Sequence, residues 1–178
     1  MSDKKLLGSQ LNRLTPEQYR DAEPSGLVVV LDNIRSAHNV GSIFRSCDSF
    51  GVDKLVLCGI CALPPSAEIH KSALGAEFSV PWEHFDDTLQ AISALREQGY
   101  TIISIEQTQN SISLEQYAIR KDGLYAIILG NEVDGVQQSV VDASDLDIEV
   151  PQFGTKHSLN VSVCAGVVLW QFRAAKMK

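Results

Sequence analysis

Leu27 to Leu31 is an unbroken apolar, mostly β-branched run in which hydrophobic and polar positions do not alternate. That pattern predicts a strand covered on both faces, as in a parallel sheet. Similar runs recur at Lys54 to Cys58, Thr101 to Ile105, Leu124 to Leu129 and Leu146 to Val150. Between them, helical spacing of apolar positions covers roughly Asn39 to Phe50, Glu68 to Leu74, His84 to Gln98, Gln137 to Asp142 and Ser158 to Arg173. Strand and helix alternate, which predicts an α/β fold with a largely parallel central sheet and helices on both faces. In such sheets ligands lie beyond the carboxyl ends of the strands, so the loops there should carry the chemistry. Residues 1–25 are polar and close on Glu23-Pro24-Ser25-Gly26, which reads as an N-terminal arm or short helix ahead of a single domain over 26–178.

Composition narrows the class. The chain of 178 residues, 44% hydrophobic and 21% charged, is long enough to bury one ordinary core. No apolar run reaches bilayer-spanning length, and the opening MSDKKLLGSQLNRL lacks the apolar core and cleavage site of a secretory leader; no membrane association and a cytoplasmic location are expected. Cys47, Cys58, Cys61 and Cys164 show no disulfide framework. Cys58 and Cys61 form a Cys-x-x-Cys with His70 beyond it, but a structural zinc needs about four ligands and no second pair is suitably spaced, so no metal is expected. The net charge of −7 excludes nucleic-acid binding through a general positive field. An RNA site would need a local patch, drawn from Lys4, Lys5, Arg13, Arg20, Arg35, Arg45, Lys71, Lys156, Arg173, Lys176 and Lys178.

Three segments stand out. In Leu31-Asp32-Asn33-Ile34-Arg35-Ser36-Ala37-His38-Asn39-Val40-Gly41-Ser42-Ile43-Phe44-Arg45-Ser46, a strand end leads through a polar loop into a helix. Asn39 can cap that helix, Gly41 permits close approach of a ligand or another backbone, and Ser42, Arg45 and Ser46 lie within one turn of each other. The apolar neighbours of Arg45 suggest a partly enclosed guanidinium in need of an anion. In Ile127 to Val136 a buried strand stops in the glycine-bounded acidic loop Gly130-Asn131-Glu132-Val133-Asp134-Gly135. In Asp147 to Val163, Pro151 ends a strand, Gly154 marks a tight loop, Ser158 is placed to cap the last helix, and Asn160 suits a site-facing amide better than a helix interior. Lys156 and His157 would stand at the mouth. The dinucleotide-binding Gly-x-Gly-x-x-Gly and the phosphate-cradling P-loop are both absent, which weighs against hydride transfer and nucleotide hydrolysis.

Taken in order, Asn39-x-Gly41-x-x-x-Arg45, Leu129-Gly130-Asn131-Glu132 with Gly135, and Val150-Pro151-x-x-Gly154 leading to Ser158-Leu159-Asn160-Val161-Ser162 resemble motifs one, two and three of the SpoU (TrmH-like) family of SPOUT RNA methyltransferases. The resemblance implies a C-terminal trefoil knot, S-adenosylmethionine as cofactor, a homodimer, and methyl transfer to a ribose 2′-hydroxyl in RNA. It favours tRNA over rRNA through the run Ile105-Glu106-Gln107-Thr108. It further implies Arg45, Asn39, Glu132, Ser158 and Asn160 as the catalytic set. The cofactor wall would comprise Ile105, Gly130, Asn131, Val150, Gln152, Ser158, Leu159 and Asn160. Val133 and Gln152 depart from the usual glycine and methionine of the family. A catalytically silent RNA-binding factor on the same scaffold is the alternative.

Overall fold

The computed structural model describes residues 3–7 and 10–177; Lys178, one of the basic-patch candidates, lies outside them. The elements follow in the order α1 (Pro16–Arg20), β1 (Leu27–Asp32), α2 (Ala37–Phe50), β2 (Lys54–Cys58), α3 (Ala67–Ala73), α4 (Ala76–Ser79), β3 (Trp82–Phe85), α5 (Thr88–Glu97), β4 (Thr101–Ile105), β5 (Ile112–Ser113), β6 (Tyr125–Leu129), α6 (Gln138–Ala143), β7 (Leu146–Glu149) and α7 (Val161–Lys176). The strands form one sheet in the order β3-β2-β1-β6-β4-β7-β5, and every pairing is parallel.

Alternate residues of the central strands point to opposite faces, so one continuous apolar run builds two cores. Leu27, Val29, Leu31, Ile127 and Leu129 pack under α2, α3 and α7 with Val40, Phe44, Ile69, Leu169 and Phe172. Val28, Val30, Ala126 and Ile128 pack with Ala91, Ile92 and Leu95 of α5 and Val140 of α6. Helices therefore cover both faces, as the sequence pattern predicts. The arm is tied down in part: Thr15 and Gln18 form a capping box on α1, and Tyr19 Oη donates to the carbonyls of Cys47 (3.1 Å) and Val52 (2.8 Å).

Several boundaries differ from the expectation. The helix read over His84 to Gln98 begins at Thr88, because Trp82–Phe85 add an edge strand onto β2. The last helix begins at Val161 rather than Ser158: Asn160 Oδ1 accepts from the backbone N–H groups of Ser162 and Val163, so Asn160 is its cap. Similarly Ser36, not Asn39, caps α2 by accepting from Asn39 N. At Gly41 the close approach is made by α3: a Cβ there would stand 2.0 Å from Ser72 Oγ and 2.5 Å from the Ile69 carbonyl oxygen.

Candidate functional site at the carboxyl ends of the strands

β6 lies between β1 and β4 and delivers the chain into the acidic loop. A Cβ on Gly130 would lie 2.1 Å from Val136 N and 2.2 Å from the carbonyl carbon of Gly135, so only glycine lets the loop fold back over the strand end. Asn131 and Gly135 exchange backbone hydrogen bonds of 2.9 and 3.0 Å. Asn131 Oδ1 accepts from Val133 N and Asp134 N, while its Nδ2 donates to Asn33 O at 2.7 Å. The result is a tight loop whose tip presents Glu132 to the start of α2.

The Glu132 carboxylate accepts from Arg35 N (3.1 Å), Ser36 N (3.0 Å) and Asn39 Nδ2 (2.9 Å). The buried Asn39 turns its other amide atom, Oδ1, to Asn160 Nδ2 at 3.2 Å. One hydrogen-bonded chain, Asn160 to Asn39 to Glu132, thus joins segments separated by 93 and 121 residues in sequence. Asn160 uses its oxygen to cap α7 and its amide nitrogen to bind Asn39, which accounts for an asparagine at that position.

Beyond β4, β6 and β7 opens a cleft of about 1050 Å³. Ile105, Gly130, Asn131, Val150, Gln152, Ser158, Leu159 and Asn160, the eight positions expected at a cofactor wall, all line it, as does Glu132. Asn39 and Arg45 do not. Arg45 is exposed and has no ion-pair partner among the described residues, contrary to the expected enclosure. It lines a shallow groove between α2 and α7 with Ser42, Ser46, Val163 and Trp170. The reason is helical phase: the apolar residues beside it, Ile43, Phe44 and Cys47, take the core side of α2.

Sequence reasoning gave Glu106, Gln107 and Asp32 no place in the site. Glu106 Oε2 accepts from Val136 N (3.0 Å), and Gln107 Nε2 donates to His157 O (2.7 Å), so adjacent residues hold the loops on the two sides of the cleft. The fully buried Asp32 accepts from Gln137 N (2.9 Å), Gln137 Nε2 (2.8 Å), Asn33 Nδ2 (2.9 Å) and Thr88 Oγ1 (2.6 Å). A carboxylate ending an otherwise apolar strand is the signal available for Asp32, and a carboxylate directly after a mostly buried strand is the one for Glu106.

The cleft is lined by Glu106, Glu132, Asp134, Asp142, Asp147 and Glu149, and by no Lys or Arg among the described residues. Burial opposes ionisation of Glu132, but hydrogen bonds from Asn39, its own backbone, Arg35 and Ser36 outweigh it and hold the carboxyl below its ordinary value of 4.5. A carboxyl held low in the folded chain binds its proton more weakly there than in the unfolded chain. Its stabilisation is therefore complete above about 4.5 and is lost as pH falls through the lowered value. Thermal melts from pH 6 to 3 should show the gap between the native chain and Glu132→Gln closing over that window; a constant gap would remove ionised Glu132 from the account. The thiols are chemically quiet. Burial is the largest cause pushing Cys58 up to about 12 and both Cys61 and Cys164 up to about 11. Cys61 Sγ is engaged by Ile34 N and Leu31 O.

Known proteins resemble this chain in sequence and fold. The 23S rRNA (guanosine-2′-O-)-methyltransferase RlmB of Vibrio vulnificus is 30% identical over 162 residues, covering 91% of this chain and 64% of its own. The tRNA (guanosine(18)-2′-O)-methyltransferase of Aquifex aeolicus is 29% identical over 167 residues, covering 93% and 76%. The chain spans less than two thirds of the length of most curated relatives it matches. The AdoMet-bound rRNA methyltransferase of Sinorhizobium meliloti shares the fold with a TM-score of 0.78 at 24% identity, over 88% of this chain and 59% of that one. Residues 26–170 match the family model described as the SpoU rRNA Methylase family, and the chain belongs to that family.

Proposed function

We propose that the chain transfers a methyl group from S-adenosylmethionine to a ribose 2′-hydroxyl of RNA, with tRNA favoured over rRNA, and that it works in the cytoplasm. The observation that carries this reading is the Asn160–Asn39–Glu132 chain, which assembles all three motifs at the rim of the cleft. The cleft suits the cofactor. Ile105, Leu129, Val150, Leu159 and Val161 offer apolar wall for an adenine ring, and the carboxylate lining without Lys or Arg suits a sulfonium and an ammonium group. When bound, the cofactor supplies an electrophilic methyl group. The residues of the chain hold and align: Gly130 and Asn131 shape the wall, and Glu132 and Asn39 fix the rim against which a ribose must sit.

Arg45 serves the substrate hydroxyl, with Ser158 and Asn160 at its approach. Arg45 acts by orienting phosphate and hydroxyl through its planar fork of donors rather than as a base. Its position outside the cleft supports a homodimer across the α2 and α7 face, where Phe50, Val163, Val167 and the half-exposed Trp170 lie beside it. Trp170→Glu should then convert a dimer to a monomer in sedimentation velocity; an unchanged sedimentation coefficient would exclude this face. The family resemblance also supports a trefoil-knotted C-terminal segment and residues 1–25 as an appended arm. No helix among the described residues is long and apolar enough to cross a membrane.

The reading is tested by calorimetric titration with S-adenosylmethionine, then by transfer of labelled methyl to separated tRNA and rRNA pools with mapping of the modified ribose. Label on bases or protein would reject the ribose assignment. No heat and no label would leave a silent RNA-binding role.

A further inference from the structure

Phe153 is 97% exposed, the most exposed of the large apolar side chains described. Leaving a phenylalanine in water forgoes most of its transfer free energy, so a ring held out this far calls for a partner. Two other exposed rings have one, Phe78 against His70 (5.9 Å) and Trp170 against Phe50 (6.0 Å), whereas Phe153, like the much less exposed Trp82, has no ring partner among the described residues.

The loop that carries it is held at its base. Gln152 Nε2 donates to His157 O at 3.4 Å, and Gln107 Nε2 donates to the same oxygen at 2.7 Å. Gln152 and His157 line the cleft, while Phe153, Gly154, Thr155 and Lys156 form the exposed tip between them. Chemistry changes sign here: the cleft interior carries carboxylates and no Lys or Arg, whereas the tip adds Lys156 beside His157. A polyanion is repelled from such an interior and admitted only at the rim. An aromatic face next to a cation is the pairing that holds an unstacked base and its phosphate.

We propose that Phe153 is a base-stacking residue for single-stranded RNA, presenting its ring to a nucleobase at the rim of the cleft while Lys156 takes the adjoining phosphate. This deepens the RNA-methylation reading and rests on it for the substrate class. It makes the loop between motif-three proline and serine a determinant of which RNA conformation is accepted, because only a base already out of its helix can reach the ring.

Two readouts test it. Phe153→Trp places an indole at the rim, and titration with a 12-nucleotide oligoadenylate should quench its emission beyond the change seen in the native chain, which carries Trp82 and Trp170 alone. With the RNA pool that the native chain methylates, Phe153→Ala should raise KM for RNA by about 5- to 100-fold. Phe153→Leu should be as weak as Ala, Phe153→Trp should restore binding, and affinity for S-adenosylmethionine should stay within about twofold in all three.

No added quenching, or a native RNA KM in Phe153→Ala, overturns the proposal. So does full activity in Phe153→Leu, which would mark a bulk apolar contact, or a changed oligomeric state in Phe153→Ala, which would mark a contact between copies. If the native chain methylates no RNA, the methyltransferase reading falls separately, and the oligoadenylate titration still decides the role of Phe153.

Discussion

Arg45→Ala is expected to lower methyl transfer by about 10²- to 10³-fold, the range for losing a preorganised donor that stabilises charge developing in the transition state. Affinity for S-adenosylmethionine should stay within about twofold, because Arg45 does not line the cleft. The melting temperature should hardly move: an exposed side chain without an ion pair leaves no cavity and no orphaned charge when truncated. Arg45→Lys separates two roles. If a positive charge is enough, lysine keeps most of the activity; if the planar fork must engage phosphate and hydroxyl together, lysine is nearly as poor as alanine. Retained activity in Arg45→Ala would remove the residue from the reaction. Arg45 sits six positions after Asn39, roughly 9 Å further along the helix axis at 1.5 Å per residue. In the dimer proposed across the α2 and α7 groove Arg45 would serve the partner subunit's cleft, and Trp170→Glu should then lose activity along with it.

Asp32→Ala is expected to destabilise the fold by about 3 kcal/mol, since a buried donor left without its acceptor costs roughly 1–3 kcal/mol and the Asn33, Thr88 and Gln137 donors can find only part of a replacement. For a domain of this size that is a fall in melting temperature of roughly 6–12 °C. The effect should reach the cleft as well. Gln137 N follows directly on Val136 N, and the two amides are held by carboxylates from different strands, Asp32 of β1 and Glu106 at the end of β4. Removing the first should loosen the exit of the loop that carries Glu132, seen as faster amide exchange over residues 131–137. A melting temperature within about 2 °C of the native chain would show that the Asp32 network contributes little.

How much of this was legible in the sequence depended on whether a residue's role is local. Leu27 to Leu31 and Tyr125 to Leu129 were visible as buried strands because central parallel strands must be apolar on both sides. Trp82–Phe85 was hidden because an edge strand of four residues leaves a weak pattern, here absorbed into the helical spacing that follows. The choice between Ser158 and Asn160 as cap could not be read from spacing, because both are good acceptors and only the loop path decides which meets the free N–H groups. The enclosure expected for Arg45 failed for a related reason: apolar sequence neighbours on a helix point elsewhere. At the site, Glu132 and Asn39 were found through their motifs, whereas Asp32 and Glu106 act on backbone N–H groups 105 and 30 residues away. Such pairings exist only once the strand order is known, and the insertion of β6 between β1 and β4 leaves no trace in local periodicity.

That insertion also governs how the molecule can be made. The register of β1 against β6 sets Leu27 opposite Tyr125 and Leu31 opposite Leu129. On a ribosome, an early strand thus waits for a partner synthesised about a hundred residues later, and loop closure over that distance precedes any reward from pairing. Until then β1 has only β2 beside it, and its other edge is open to any strand that comes near. The central sheet is completed only after β6 has emerged, and the cleft, built on the ends of β4, β6 and β7, only after β7.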